Sequence, residues 1–174
     1  MYYISNRSPL PESSVIVRGK NLVPQVYQIL YKSIISLWLK PGQPLREKEI
    51  CKQLQISRTP VREALLKLAD ERLIVILDRS GTYVSRINIK DVKESQFIRE
   101  SMETATVRYA VKNYNTDLSE KLSLLLEQQK QCVKDDNRSR LTELDDMFHR
   151  TIVEFHFSSR IWKIINNAKA QMDR

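Results

Sequence analysis

Two arginines four residues apart, Arg58 and Arg62, carry chemistry suited to reading DNA. A guanidinium fork can bond O6 and N7 of one guanine together, worth about 1–3 kcal/mol of base discrimination. Ser57 and Thr59 lie beside them, and hydroxyls and free N–H groups at a helix N-terminus bind phosphate. A second pair, Asp145 and His149, stands one above the other on a helix because it too is spaced by four. A carboxylate and an imidazole can share a divalent ion such as Zn, Ni or Mn. Taken alone, both pairs have simpler readings: solvated charges for the arginines, a surface ion pair or core-edge hydrogen bond for Asp145 and His149.

The elements that position the arginines can be read from 45–87. Val61, Ala64, Leu65 and Leu68 repeat at i, i+3, i+4 and i+7 and so share one face. At about 100° per residue, Arg58 and Arg62 fall roughly a quarter turn from it. Ser57 or Thr59 is expected to cap this helix, with Pro60 tolerated in its first turn. A shorter helix precedes the turn at 54–57. The β-prone run Ile74-Val75-Ile76-Leu77, the turn Arg79-Ser80-Gly81 and the return strand Thr82-Tyr83-Val84 predict a hairpin. Helix, turn, helix and wing form a DNA-reading module.

This stretch resembles the winged helix-turn-helix domain of the GntR family of bacterial transcription regulators, from about Val23 to Ile87. The most specific match is Ser57-Arg58-Thr59-Pro60-Val61-Arg62-Glu63-Ala64-Leu65, with Leu68 and Gly81 in register. The resemblance implies that the second helix of the motif enters the major groove and the wing approaches the minor groove. It further implies DNA contacts from Lys48, Ser57, Arg58, Thr59, Arg62 and Gly81. The later half looks like the all-helical FCD domain of the FadR branch, on Arg99, Glu103 and the run Asp145-Asp146-Met147-Phe148-His149-Arg150. In many members of that branch the Asp and His matching Asp145 and His149 bind a divalent metal with two later histidines, and an acidic metabolite completes the coordination. The effector-binding residues so implied are Arg99, Asp145 and His149. This chain departs from the pattern. Its only other histidine, His156, matches neither later ligand, so a three-histidine metal site is not expected. The amphipathic pattern also runs to Arg174, where family domains continue for two or three more helices. The expectation is a truncated helical domain or a degenerate pocket.

Charge distribution agrees with a division of labour. Residues 1–86 hold 14 Lys+Arg against 7 Asp+Glu, and the remainder hold 15 against 14. A basic first half suits a polyanion. No apolar run approaches ~18 residues, which argues against a membrane span. Cys51 and Cys132 lie far apart without a CxxC, disfavouring disulfide frameworks and thiolate zinc sites; Cys51 is expected to be a small buried hydrophobe. No signal peptide is visible, so a cytoplasmic location is the default. Three glycines and no Gly-rich phosphate loop argue against nucleotide-phosphate chemistry.

The expected architecture is mainly α in three parts. Residues 1–21 form an irregular arm, most simply a disordered tail, with Arg7, Arg18 and Lys20 as candidate DNA contacts. Residues 22–87 form the winged helix-turn-helix. Its first helix, Val23 to Leu39, carries the stripe Val23, Val26, Leu30, Ile34 and Leu37, and Pro41-Gly42 stops it. Residues 88–174 form a helical ligand-binding and dimerisation domain, an antiparallel bundle of four helices. Its first helix has Val92, Ile98, Met102, Ala105, Tyr109 and Ala110 near one side.

The function expected is sequence-specific transcription regulation. A homodimeric repressor would bind an inverted-repeat operator under control of a small acidic metabolite. The alternatives are a non-specific architectural nucleic-acid binder and, with no nucleophile-base-orienter set in view, a metal-dependent enzyme.

Overall fold

A computed structural model describes residues 8–174 as two compact units: one up to Val92 together with Ala170–Arg174, the other Lys93–Lys169. The fold is mainly α.

In the first unit, α1 (Leu22–Ile35) starts where the Asn21 side chain accepts from the Val23 N–H at 3.1 Å. Pro24 falls within the first turn, where its missing N–H has no intrahelical partner. Val26, Leu30 and Ile34 face the core. The helix ends earlier than expected. Leu37 adopts a left-handed φ of 57°, and the Leu39 N–H donates back to the Ser33 carbonyl at 2.9 Å. That reversal buries Leu39 and leaves Leu37 exposed, so the stripe closes on Leu39 rather than Leu37. Val23 is only half-buried. Pro41 is not the stop, because the chain has already turned.

A two-residue strand, β1 (Pro44–Leu45), leads into α2 (Glu47–Leu54), whose first turn carries Glu47 and Glu49 against the positive end of the helix dipole. Gln55 then turns left-handed, with φ 54°, and α3 (Arg58–Asp70) follows. The wing is β2 (Ile74–Leu77) and β3 (Gly81–Val84). It is antiparallel with Ile74 opposite Val84 and Leu77 opposite Gly81. β1 pairs with β3, Leu45 opposite Thr82, giving the sheet order β1-β3-β2. Arg79 at φ 59° and Gly81 at φ 110° close the three-residue loop, and Gly81 takes a conformation that a Cβ would strain.

The core gathers α1, α2, α3 and the sheet around Leu30, Ile34, Ile50, Leu65, Leu68 and Leu73. Ile56 and Cys51 only border it; Cys51 is half-buried, its Sγ 3.8 Å from the Ser57 carbonyl, because it sits at the edge of the motif's turn. Two pieces of irregular chain also belong to this unit. Leu10 is fully buried in the core, and Ala170 is nearly so. Gln171 donates to the Glu71 carbonyl at 3.0 Å, and Arg174 donates to the Ser85 carbonyl at 3.1 Å and to Gln171 Oε1 at 2.7 Å. Arg7 lies outside the described residues.

The second unit comprises α4 (Ile89–Lys112, from Lys93 onward), α5 (Thr116–Lys134), α6 (Arg138–His156) and α7 (Ser159–Lys169). Asn115 and Asn137 cap α5 and α6, accepting from Asp117 N at 2.7 Å and Arg140 N at 3.1 Å. α5 and α6 pack as a hairpin on Leu125, Cys132 and Leu144, with Leu141 and Phe148 against them. Lys169 on α7 pairs with Asp146 on α6. The face of α4 differs from expectation. Ser95, Thr106 and Ala110 are buried, Arg99, Met102 and Glu103 are half-buried, and Ile98, Tyr109 and Ala105 are exposed. The inward face follows a network of polar groups, which a count of apolar residues passes over.

Candidate nucleic-acid interface and helical-domain polar cluster

Ser57 occupies the N-cap of α3 with extended backbone, φ −71° and ψ 169°, and its side chain makes no capping bond. Pro60, Val61, Ala64, Leu65 and Leu68 point inward, so Arg58, Thr59 and Arg62 are left exposed along one edge of the helix. Arg58 forms no ion pair among the described residues. Arg62 does: its Nε lies 3.1 Å from Glu47 Oε2 on α2. Lys48 and Gly81 line one open groove of about 420 Å³ with Arg46, Glu49 and Thr82. The structure therefore brings Lys48 on α2 and Gly81 at the wing tip to a common space, and ties α2 to α3 through Glu47 and Arg62. Ser57 lines a different groove, of about 590 Å³, beside Arg18 and Lys20. The face offers cations, an open hydroxyl and an exposed wing, the inventory that phosphate and base-edge contacts require.

In the helical unit, Arg99, Glu103, Asp145 and His149 come together. Glu103 is the hub. Its Oε1 accepts from Arg99 Nε at 2.8 Å, and its Oε2 lies 3.1 Å from His149 Nδ1. The other ring nitrogen, Nε2, is 3.8 Å from Asp145 Oδ1. Burial raises the Glu103 carboxyl, but hydrogen bonds from His149 and Arg99, with their charges, outweigh it and bring it down to about 2. The same hydrogen bond, against burial, holds His149 above the ordinary imidazole value. Glu103 accompanied the site residues in the sequence without a role of its own. Its spacing of four from Arg99, a standard helix-surface pair, was the available signal.

Asp145 Oδ1 and His149 Nε2 face each other as two possible metal donors. No group of three or more His, Cys, Asp or Glu side chains among the described residues is arranged to hold a metal. Asp145 and His149 supply two protein donors, fewer than the three or four protein ligands of a zinc site. A separate apolar groove of about 190 Å³ lies among Val107, Val111, Tyr114, Leu118, Leu122 and Ile152, and none of the polar cluster lines it.

Residues 22–84 match the family of bacterial regulatory proteins described as the gntR family, and residues 94–174 match the FCD domain. The chain belongs to the GntR family. This GntR-family chain is 36% identical over 150 residues to the HTH-type transcriptional repressor RspR of Escherichia coli K12, covering 86% of the chain and 66% of RspR. It is 34% identical over 140 residues to the gluconate operon transcriptional repressor of Bacillus subtilis, covering 80% of the chain and 57% of that repressor. Among solved structures, E. coli McbR/YncC matches with a TM-score of 0.73 at 26% identity, over 88% of this chain and 73% of that one. A GntR regulator from Rhodococcus sp. RHA1 matches with a TM-score of 0.66 at 25% identity, over 86% and 72%. The chain spans just under two thirds of the length of RspR. No helix among the described residues is long and apolar enough to cross a membrane.

Proposed function

We propose that this GntR-family chain is a sequence-specific DNA-binding transcription regulator, a repressor acting as a homodimer on an inverted-repeat operator in the cytoplasm. The observation that carries the reading is the outward edge of α3. Arg58, Thr59 and Arg62 are exposed while the opposite edge is buried, and the wing tip Gly81 shares a groove with Lys48 on α2. Arg58 and Arg62 are assigned to base edges, Lys48, Ser57 and Thr59 to phosphates, and Gly81 to close approach of the wing backbone. Repression by RspR and the gluconate operon repressor supports the sign of regulation.

Control is assigned to the helical unit, with a small acidic metabolite bound by Arg99 and His149, and Asp145 beside them. The Arg99 guanidinium and the His149 imidazole are already drawn together by Glu103. A bound carboxylate would compete with Glu103 for them. It shifts the regulator only by binding DNA-competent and DNA-incompetent arrangements unequally.

The test is selection of bound duplexes from a random DNA pool, then salt titration on the winner and on scrambled DNA. An enriched inverted repeat with half-sites about one helical turn apart supports the dimeric regulator. Equal, steeply salt-dependent binding to all duplexes overturns it in favour of an architectural binder.

A further inference from the structure

Residues 10–21, which precede α1, are held to the helices behind them. Gln53 on α2 clamps it with both ends of one amide: its Oε1 accepts from Leu10 N at 2.9 Å and its Nε2 donates to the Leu10 carbonyl at 2.9 Å. Gln25 on α1 repeats the device on Val17, accepting from its N–H at 2.7 Å and donating to its carbonyl at 3.1 Å. Leu10 is fully buried in the core and Asn21 caps α1, so the backbone from 10 to 21 is tied down at 10, 17 and 21.

What this fixed segment presents is basic. Arg18, Gly19 and Lys20 project beside the motif's turn, and Arg18 Nη2 reaches Gln55 Oε1 at 3.3 Å. They line the open groove of about 590 Å³ that also contains Ser57, the residue that opens α3. Among the described residues no carboxylate lines that groove, whereas the groove by the wing contains Glu47 and Glu49. Gly19 takes φ 81° with no atom within 4 Å of where a Cβ would stand, leaving the backbone there open to close approach.

We propose that Arg18 and Lys20 form a second DNA-backbone contact, binding phosphates of the duplex flanking the bases read by α3. The inference rests on the DNA-binding reading above and extends it. The ligand class is the phosphodiester backbone. Two cations facing an acid-free groove, with no hydrogen-bonding fork aimed at a base edge, suit charge recognition without sequence choice. Because the segment is pre-ordered, binding there forgoes the ordering cost that a free tail would incur.

The test compares the full chain with R18Q/K20Q on a duplex selected by the unaltered chain and on scrambled DNA, by salt titration and hydroxyl-radical footprinting. Both side chains are exposed, so the double variant should melt as the parent does. The expected result is a salt slope shallower by about 0.9 for each phosphate that the variant no longer neutralises. Affinity should fall by a similar factor on both duplexes. Protection should disappear only from phosphates flanking the half-site. An unchanged slope and footprint in R18Q/K20Q, with the parent binding DNA normally, overturns this inference alone. A parent chain that binds neither duplex overturns the DNA-binding reading and this inference with it.

Discussion

Arg62 Nε lies 3.1 Å from Glu47 Oε2, so the α3 side chain assigned to a base edge is already held by a carboxylate of α2. Arg62 is exposed and Glu47 half-buried, and surface pairs of this kind contribute about 0–1 kcal/mol to stability. The consequence is for binding: to read a base edge as proposed, Arg62 would have to leave Glu47 or be shared with it. Glu47→Gln is expected to tighten binding to selected and scrambled duplexes alike, because a negative charge near phosphates is removed. Arg62→Ala should lose about 1–3 kcal/mol on the selected duplex and relax base preference at one position. Competition titrations on single-base variants check both. Equal losses on selected and scrambled DNA for Arg62→Ala would remove its base-reading assignment.

Leu10 lies outside every helix and strand yet is fully buried in the core of the first unit. Leu10→Ala should therefore cost about 2–5 kcal/mol, the range for a buried leucine. Val15, exposed in the same segment, should tolerate alanine with little change. Denaturant unfolding of the two variants measures the difference. Equal midpoints would mean that the arm is not part of the core in solution.

That contrast shows what sequence reading could reach. The helix-turn-helix and wing were legible because α3 has a 3.6-residue stripe and the wing a compact turn signal, and both follow local rules. Leu10 was not, since one leucine among prolines and serines has no period, and its partner Gln53 is 43 residues away. β1 was missed for the same reason, being two residues long and defined only by pairing with β3. The face of α4 misled because Ser95, Arg99, Glu103 and Thr106 turn inward where apolar counting favoured Ile98 and Tyr109. The Asp145–His149 pair was visible from its spacing, but that Glu103 takes Nδ1 of His149 is a tertiary fact.

Gln171 and Arg174 fasten the chain's last five residues to the end of α3 and to the exit of the wing. Gln171→Ala removes the donor to the Glu71 carbonyl and should cost about 0.5–1.5 kcal/mol. Arg174→Ala should loosen the strand exit at Ser85, whose N–H donates to the Leu73 carbonyl at 3.0 Å. Amide hydrogen exchange should accelerate at Ser85 in Arg174→Ala while the α5–α6 hairpin keeps its protection. Unaltered exchange at Ser85 would show that Arg174 does not hold the wing.

The Arg99–Glu103–His149 cluster gives the helical unit a pH signature whose sign follows from the two shifts. Glu103 is lowered to about 2 by the hydrogen bonds that outweigh its burial. Its contribution is present above the unfolded value of about 4.3 and is lost as pH falls toward 2. His149 is raised, chiefly by its hydrogen bond to Glu103. Its contribution is complete below the unfolded value of about 6.5 and disappears as pH rises through the raised folded value. The cluster therefore stabilises most between about pH 4.3 and 6.5. The unfolding midpoint of the helical unit, followed by exchange in α4 and α6, should decline as pH is raised from 6 to 9. His149→Gln should flatten that decline, while Asp145→Asn, altering a half-exposed partner at 3.8 Å, should leave most of it. A decline identical in His149→Gln and the parent would mean that some other group carries it.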